Sequence, residues 1–334
     1  MDFSFFGWSQ NPFTLNIIPE LFVGYRSQLE KIRLSLERQS KFTLLLGGPG
    51  TGKTALLRYL SIRPFSGYQT LYIPKPPREE KGWEIIFNKL VSRFSFRKYS
   101  LYELPEKLKK KFRKKPLLLL LDEGYETGKE SLEWLRTLTD HCDSLFVLLA
   151  SLPDSEFSFS LLKQRIGERV ELKGLDRLET AELIKRRIEW AGGQDIRPFS
   201  LDSIEVIYNH TLGVPRQVLK CCSEVVYQAM ERGISIIDSG FLRQVSNLNG
   251  IQLKELSEKQ RRLLFALDSK SLTPTQLADQ LEWGRNRDNA MRAVNNMLRR
   301  LMGMGLVERE RVGKQYRYKT TAKFEALRKA FPEN

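Results

Sequence analysis

Residues 47–54 read Gly-Gly-Pro-Gly-Thr-Gly-Lys-Thr and follow directly on the apolar run Phe42-Thr43-Leu44-Leu45-Leu46. Glycines in this pattern let the backbone curl until successive N–H groups point at one set of phosphate oxygens. Gly47, Gly48, Pro49, Gly50, Thr51 and Gly52 are the predicted cradle. Lys53 brings a point charge to the β- and γ-phosphates of a nucleotide, and the Thr54 hydroxyl is placed to ligate Mg²⁺. The next residues, Ala55-Leu56-Leu57-Arg58-Tyr59-Leu60, suit a helix whose N-terminal dipole favours the same anion. Strand before, helix after and every position filled make this a complete Walker A loop in the setting it requires.

A second segment agrees with it. Pro116 precedes Leu117 to Leu121, and Asp122-Glu123 follow. Five leucines in a row suit a central parallel strand buried on both faces, and carboxylates at its carboxyl end sit at the mouth of a phosphate site. In this Walker B pattern Asp122 is expected to hold Mg²⁺ through water and Glu123 to polarise the attacking water in in-line phosphoryl transfer.

Strands alternate with helices across the first half. Strands are predicted at 41–46, 70–73, 116–121, 145–150 and 169–172, with helices at 82–95, 103–113 and 129–140. Such alternation means a parallel sheet wrapped by helices, an α/β core. An arm and helix, 1–40, precede it. From about Leu175 the strands stop, and amphipathic helices near 178–191, 201–210, 215–231 and 239–246 form an all-α segment. After a polar link at 247–256, a third unit reads helix 257–268, helix 273–281 and helix 287–303. A hairpin follows, with strands at 306–311 and 315–319 and 312–314 as its turn, and then a closing helix, 321–330. Pro274 fits the first turn of its helix, and Met302-Gly303-Met304-Gly305 ends the longest one. Three helices and a β-hairpin are the plan of a winged helix-turn-helix. The domains are therefore expected at 1–174, 175–248 and 255–334.

At 334 residues, with 41% hydrophobic and 28% charged content, the chain reads as a globular protein of two or three domains. No apolar stretch approaches the roughly 20 residues of a membrane span. The N-terminus lacks the basic region of a secretory signal. Cys142, Cys221 and Cys222 with only two histidines offer neither a disulfide framework nor metal-ligand spacing. A cytoplasmic, nucleoid-associated protein without membrane contact or structural metal is expected.

The formal net charge of +15 is concentrated. Arg93–Lys115 nets +8, Lys254 to the C-terminus nets +8, and the rest sums to −1. Segregation of this kind is the footprint of contact with a polyanion. For the run at 93–115, whose 107–115 part is helical and amphipathic, a solubilising surface explains the charge equally well. In the third unit the helix that would enter a major groove, with its approach, carries Arg285, Asn286, Arg287, Asn289, Arg292, Asn295, Asn296 and Arg299. Arg and Asn suit bidentate contacts with guanine and adenine edges. The wing offers Arg309, Arg311, Lys314, Arg317 and Lys319, interleaved with Tyr316 and Tyr318, for phosphates. Winged helices also serve protein contacts; the arginine-rich helix favours double-stranded DNA.

Taken together these residues resemble an AAA+ ATPase, of the branch that holds the origin-recognition (Orc/Cdc-type) initiators of archaea and eukaryotes and the bacterial ExeA/GspA and transposition-helper ATPases. Beyond the Walker motifs the likeness rests on Phe6-Gly7-Trp8 with Asn11-Pro12-Phe13, on Ser151, on Gln164-Arg165-Ile166 and on Gly213-Val214-Pro215-Arg216, and it covers about residues 5–245. The resemblance implies a sensor-1 role for Ser151 and a lid-borne sensor-2 role for Arg216. It also implies that Arg165, with Arg169 as its rival, is presented to a neighbouring subunit. ATP/ADP and Mg²⁺ are the implied cofactors, and self-association or a partner protein at the ATP site is implied with them. The expected function is an ATP-dependent DNA-binding AAA+ protein, a slow ATPase and nucleotide-switched platform for replication initiation or related DNA transactions. Two alternatives stay open: a winged-helix transcriptional regulator with an ATP-sensing domain, and a mobile-element helper ATPase.

Overall fold

Every residue of Leu117–Leu121 is buried, which requires cover on both faces. The computed structural model, which describes residues 2–91, 98–153, 162, 164–245, 256–267, 270–281, 287–312, 315–321 and 324, supplies that cover. The chain divides into two compact units, Met1–Leu242 and Arg243–Asn334.

In the first unit the order is α1 (Arg26–Glu37), β1 (Phe42–Gly47), α2 (Lys53–Ile62), β2 (Gln69–Ile73), α3 (Glu80–Val91), α4 (Leu104–Phe112), β3 (Leu117–Leu121), α5 (Lys129–His141), β4 (Leu145–Ser151) and β5 (Ile166–Leu172). The five strands form one sheet in the order β2-β3-β4-β1-β5, all parallel. The architecture is α/β, a parallel five-stranded sheet wrapped by helices. The odd leucines of β3 pack against Trp83, Phe87, Leu108, Phe112, Leu132 and Leu135, from α3, α4 and α5. Helices α1 and α2 pack on the sheet as well, α1 against β5 and α2 against β1, β2 and β3. β5 is an edge strand and alternates accordingly, with Val170 and Leu172 buried while Gly167, Arg169 and Glu171 are exposed. It begins at Ile166, three residues earlier than the apolar run alone indicates, because pairing with β1 recruits the polar Gly167-Glu168 stretch. α3 is described as far as Val91; the rest of the expected helix lies outside the described residues.

Four helices follow: α6 (Arg177–Trp190), α7 (Leu201–Thr211), α8 (Pro215–Glu231) and α9 (Ser239–Val245), the last containing the boundary between units. α6 starts on a capping box in which Asp176 accepts from the Glu179 N–H and Glu179 accepts from the Asp176 N–H. Cys221 and Cys222 are buried packing residues of α8, and burial pushes the Cys221 thiol up to about 12. The N-terminal arm lies against these helices. Phe13 meets Phe199 edge-to-face, and Asn11 Nδ2 donates to Ser223 Oγ and Tyr227 Oη.

The second unit holds α10 (Glu258–Ala266), α11 (Pro274–Leu281), α12 (Arg287–Gly303), β6 (Val307–Val312) and β7 (Gln315–Thr320). The antiparallel pair runs in register from Val307↔Thr320 to Val312↔Gln315. Leu263, Leu264, Leu277, Val294, Leu298 and Phe324 belong to its core. Of the closing helix expected at 321–330 only Thr321 and Phe324 are described, and the 247–256 link, Leu256 excepted, lies outside the described residues. Among the described residues no helix is long and apolar enough to cross a membrane.

Candidate nucleotide site and basic helix face

β1 ends at Gly47 and α2 begins at Lys53, so residues 48–52 turn the chain at the carboxyl end of the central strands. Gly50 has φ +84, and a Cβ there would lie 2.9 Å from Arg216 Cβ; the loop needs glycine both for its curl and for the approach of α8. The Arg216 N–H donates to the Gly50 carbonyl at 3.3 Å. Lys53 Nζ donates to the carbonyls of Gly47 (2.6 Å) and Gly48 (3.1 Å). Burial pushes this ammonium below its ordinary value, Asp122 pulls it back and Arg216 adds to the lowering.

Asp122, 4% exposed, sits just past β3. Its Oδ2 accepts from the Tyr72 hydroxyl at 3.1 Å and its Oδ1 from the Glu123 N–H at 3.0 Å. Glu123 takes a left-handed backbone, φ +49, and its side chain is exposed. A non-glycine residue held there costs roughly 1 kcal/mol or more, and such conformations gather at functional sites. Ser151 ends β4 beside Leu46, fully buried. Thr54, Asp122, Glu123, Ser151 and Arg216 line one cavity of about 360 Å³ together with Pro49, Gly50, Gly52 and Lys53. The structure thus brings together nearly all the residues singled out for the nucleotide. The donor set suits nucleotide and Mg²⁺: a buried carboxylate and a hydroxyl for a hard cation that keeps several waters, an ammonium and a Gly-rich loop for phosphate.

The other wall of this cavity carries no motif. Leu15, Ile17, Ile18, Leu21 and Phe22 of the arm and Leu183 and Leu219 of the helical segment form an apolar side suited to a flat base. Tyr25 ties it to the loop. Its hydroxyl lies 2.6 Å from the Thr51 carbonyl and 2.8 Å from the Lys173 carbonyl, and its N–H donates to Glu179 Oε1 at 3.1 Å. Burial pushes its phenol far above the usual range, which keeps it a donor. Arg187 is 6% exposed and lines the same cavity; its Nη atoms hold the carbonyls of Thr14 (3.1 Å) and Asn16 (3.0 Å). Sequence reasoning missed Tyr25, Tyr72 and Arg187. For Tyr72 the link is visible only in the pairing of β2 with β3, which sets Ile73 beside Leu121, the residue before Asp122.

Arg165 stands apart from this group. It immediately precedes β5, whose start pairs with the start of β1, so it lies at the opposite end of the sheet from the P-loop. Its guanidinium is half-exposed and bidentate to Asp140, with Nε to Oδ1 at 3.1 Å and Nη2 to Oδ2 at 3.0 Å.

In the second unit Asn289, Arg292, Asn296 and Arg299 are exposed along one side of α12, with Asn295 and Arg300 beside them, while Val294, Leu298 and Leu301 are buried. Arg300 was not singled out from the sequence. The hairpin cations are partly committed within the second unit. Lys319 Nζ lies 3.3 Å from Glu308 and 3.2 Å from Glu310, Arg309 stacks on Tyr316 at 4.2 Å, and Arg317 donates to the Ser271 carbonyl at 3.4 Å. Arg311 is exposed. Arg285, Asn286 and Lys314 lie outside the described residues, and Arg287 is the first residue of α12.

Residues 36–157 match the family model of the AAA domain. The RuvB Holliday junction branch migration motor of Thermotoga maritima is structurally similar, with 18% identity, TM-score 0.52, and coverage of 95% of this chain and 98% of that one. A single-residue variant of the same motor reaches a TM-score of 0.54 at 18% identity, over 96% of this chain and 99% of that one. At such identity the likeness speaks for the fold alone. In sequence, an uncharacterized HTH-type transcriptional regulator of Methanocaldococcus jannaschii is 28% identical over 168 residues, 47% of this chain. The chain spans 40% of the length of that curated relative.

Proposed function

We propose that this protein is an ATP-dependent DNA-binding AAA+ protein, a nucleotide-switched platform acting in replication initiation or a related DNA transaction. The AAA domain match supports ATP as the ligand of the P-loop cavity, since proteins of this family generally bind and hydrolyse it. The observation that carries the DNA part is the exposed Asn289–Arg292–Asn296–Arg299 side of α12, opposite the apolar side that belongs to its core. Arg and Asn side chains spaced along one helix face suit base edges and phosphates of a major groove. We read residues 255–334 as a winged helix-turn-helix, 1–174 as a core and 175–248 as a lid.

In this mechanism Lys53 and the loop N–H groups hold the phosphates, and Thr54 and Asp122 would hold Mg²⁺, which when bound supplies charge neutralisation at the β- and γ-oxygens. Glu123 orients the attacking water and takes up its proton. Ser151 is positioned to orient the same water. Arg216 reads the γ-phosphate and, through the Gly50 contact of α8, couples it to lid position. Arg165 completes the site of a neighbouring subunit. Double-stranded DNA and a second copy or partner protein at the ATP site are the proposed partners, and the cytoplasm the proposed compartment.

The test is DNA binding by the full chain without nucleotide, with ADP and with a non-hydrolysable ATP analogue, beside the Arg292→Ala/Arg299→Ala variant. Affinity that responds to nucleotide and collapses in the variant supports the reading. Unchanged affinity in the variant overturns it. A second reading, an ATP-sensing transcriptional regulator, is favoured by the HTH-type regulator among the relatives. Footprints confined to promoters would select it.

A further inference from the structure

The first unit carries a basic surface that takes no part in the nucleotide cavity. α4 buries Leu104, Leu108 and Phe112 at helical spacing and turns Lys107, Lys109, Lys110 and Lys111 outward; Arg113, Lys114 and Lys115 continue the exposed run before β3 begins. Because β3 runs from Leu117 toward Asp122, these last cations lie at the end of the sheet opposite the P-loop, too far to act on its phosphates. Some members are spoken for. Lys107 lies over the Tyr99 ring at 4.9 Å, Lys111 donates to the Leu90 carbonyl, and Lys109 reaches Asp143 at 4.0 Å. Among the described residues no carboxylate lies within ion-pair distance of Lys110, Arg113, Lys114 or Lys115.

Four cations within six residues, with no carboxylate at ion-pair distance among the described residues, repel one another. Favourable contact with the helix C-terminus accounts for the last turn of α4 and fades beyond it. A surface charged only for solubility would spread its charge, yet the chain outside this run and the C-terminal one sums to −1. Tyr102, 95% exposed just before α4, adds an aromatic face for a sugar or base.

We infer that the outer side of α4 and residues 113–115 form a second nucleic-acid contact, a sequence-indifferent seat for the DNA phosphate backbone on the AAA unit itself. Helix α4 is roughly 13 Å long, enough to follow several phosphates, and lysines suit them as point charges. This contact holds the DNA backbone without reading its sequence, which falls to α12. It stands whether or not the second unit binds DNA.

The experiment uses full-length protein and a fluorescent duplex of arbitrary sequence titrated across a salt series. Three proteins are compared with wild type: Lys110→Gln/Lys114→Gln/Lys115→Gln, the same three positions changed to Arg, and Arg292→Ala/Arg299→Ala. Binding of a fluorescent ATP analogue and far-UV circular dichroism confirm the folded state of each. The Gln variant should lose roughly tenfold or more in affinity at low salt, and its slope of log K against log salt should flatten by roughly two to three. The Arg variant should keep both. Unchanged affinity and slope in a folded Gln variant overturn the contact, whatever the α12 variant does. Loss in the α12 variant alone would leave the proposed function standing without this one, and loss in the Gln variant alone would do the reverse. Wild-type sedimentation with phosphatidylserine vesicles, lost in the Gln variant while DNA binding is kept, would assign the surface to a membrane and overturn the proposal.

Discussion

At the scale of single residues, one lysine, one glutamate and one tyrosine carry separable duties. Lys53, the ammonium of the proposed cradle, is held by the Gly47 and Gly48 carbonyls within the loop. Lys53→Ala should lower ATP affinity by two orders of magnitude or more, read by titration of a fluorescent analogue, and retained affinity would remove the nucleotide assignment. Glu123 borders the cavity on a left-handed backbone that glutamate does not choose freely. Glu123→Gln keeps shape and hydrogen bonds but not the basic oxygen, so it should bind ATP normally and turn it over at least a hundredfold more slowly. Tyr25 has a structural duty. Tyr25→Phe strips the hydroxyl shared by the Thr51 and Lys173 carbonyls and leaves buried acceptors unsatisfied, which should cost about 1–3 kcal/mol in urea unfolding. ATP affinity should fall as well, because Thr51 belongs to the cradle.

At the scale of elements, what was legible followed from burial pattern. Continuous apolar runs announced β1, β3 and β4 because a strand covered on both faces has no polar side to show. β5 was legible only at its apolar end, since an edge strand gains its first residues from pairing with β1 rather than from its own composition. The cavity wall formed by Leu15–Phe22 was not legible as a ligand surface: it is irregular backbone with a single short 3₁₀ turn, Pro19–Leu21, and no period to read. Arg187 was invisible for another reason. A charged residue within a helix reads as surface, and only the arm carbonyls of Thr14 and Asn16 show why this one is buried. Between β5 and α6 the connection packs on the turn that leads into α8. The Leu175 N–H donates to the Gly213 carbonyl at 2.9 Å, and Gly213, at φ +67, would place a Cβ 1.9 Å from the Leu175 carbonyl. Gly213→Ala should therefore cost about 2 kcal/mol or more in urea unfolding. It should also weaken ATP binding, because the same turn delivers Arg216 to Gly50; a silent substitution would mean that α8 is held in place by its apolar packing alone.

At the scale of the whole molecule the question is whether one chain carries every group that the proposed ATPase needs. The cavity supplies phosphate donors, carboxylates and Arg216, yet Arg165 is absent from it. β5 spans Ile166–Leu172, and at about 3.3 Å per residue the strand separates Arg165 from the P-loop end of the sheet by roughly 20 Å, beyond the reach of any side chain. Arg165 is meanwhile half-exposed, and an exposed pair such as that with Asp140 adds little net stability, so a phosphate on another molecule competes for the guanidinium at small cost. If Arg165 acts across a subunit boundary, turnover per chain should rise with protein concentration, and Arg165→Ala should bind ATP normally while losing that rise. Mixing separates this from a local effect. Lys53→Ala chains keep Arg165 and lack a working cradle, whereas Arg165→Ala chains keep the cradle and lack the donated arginine. Each alone should be nearly inactive, and an equimolar mixture should recover a substantial fraction of wild-type turnover, because some junctions pair an intact cradle with an intact arginine. A mixture no more active than the sum of its parts would confine Arg165 to its bond with Asp140 and make the single chain the catalytic unit.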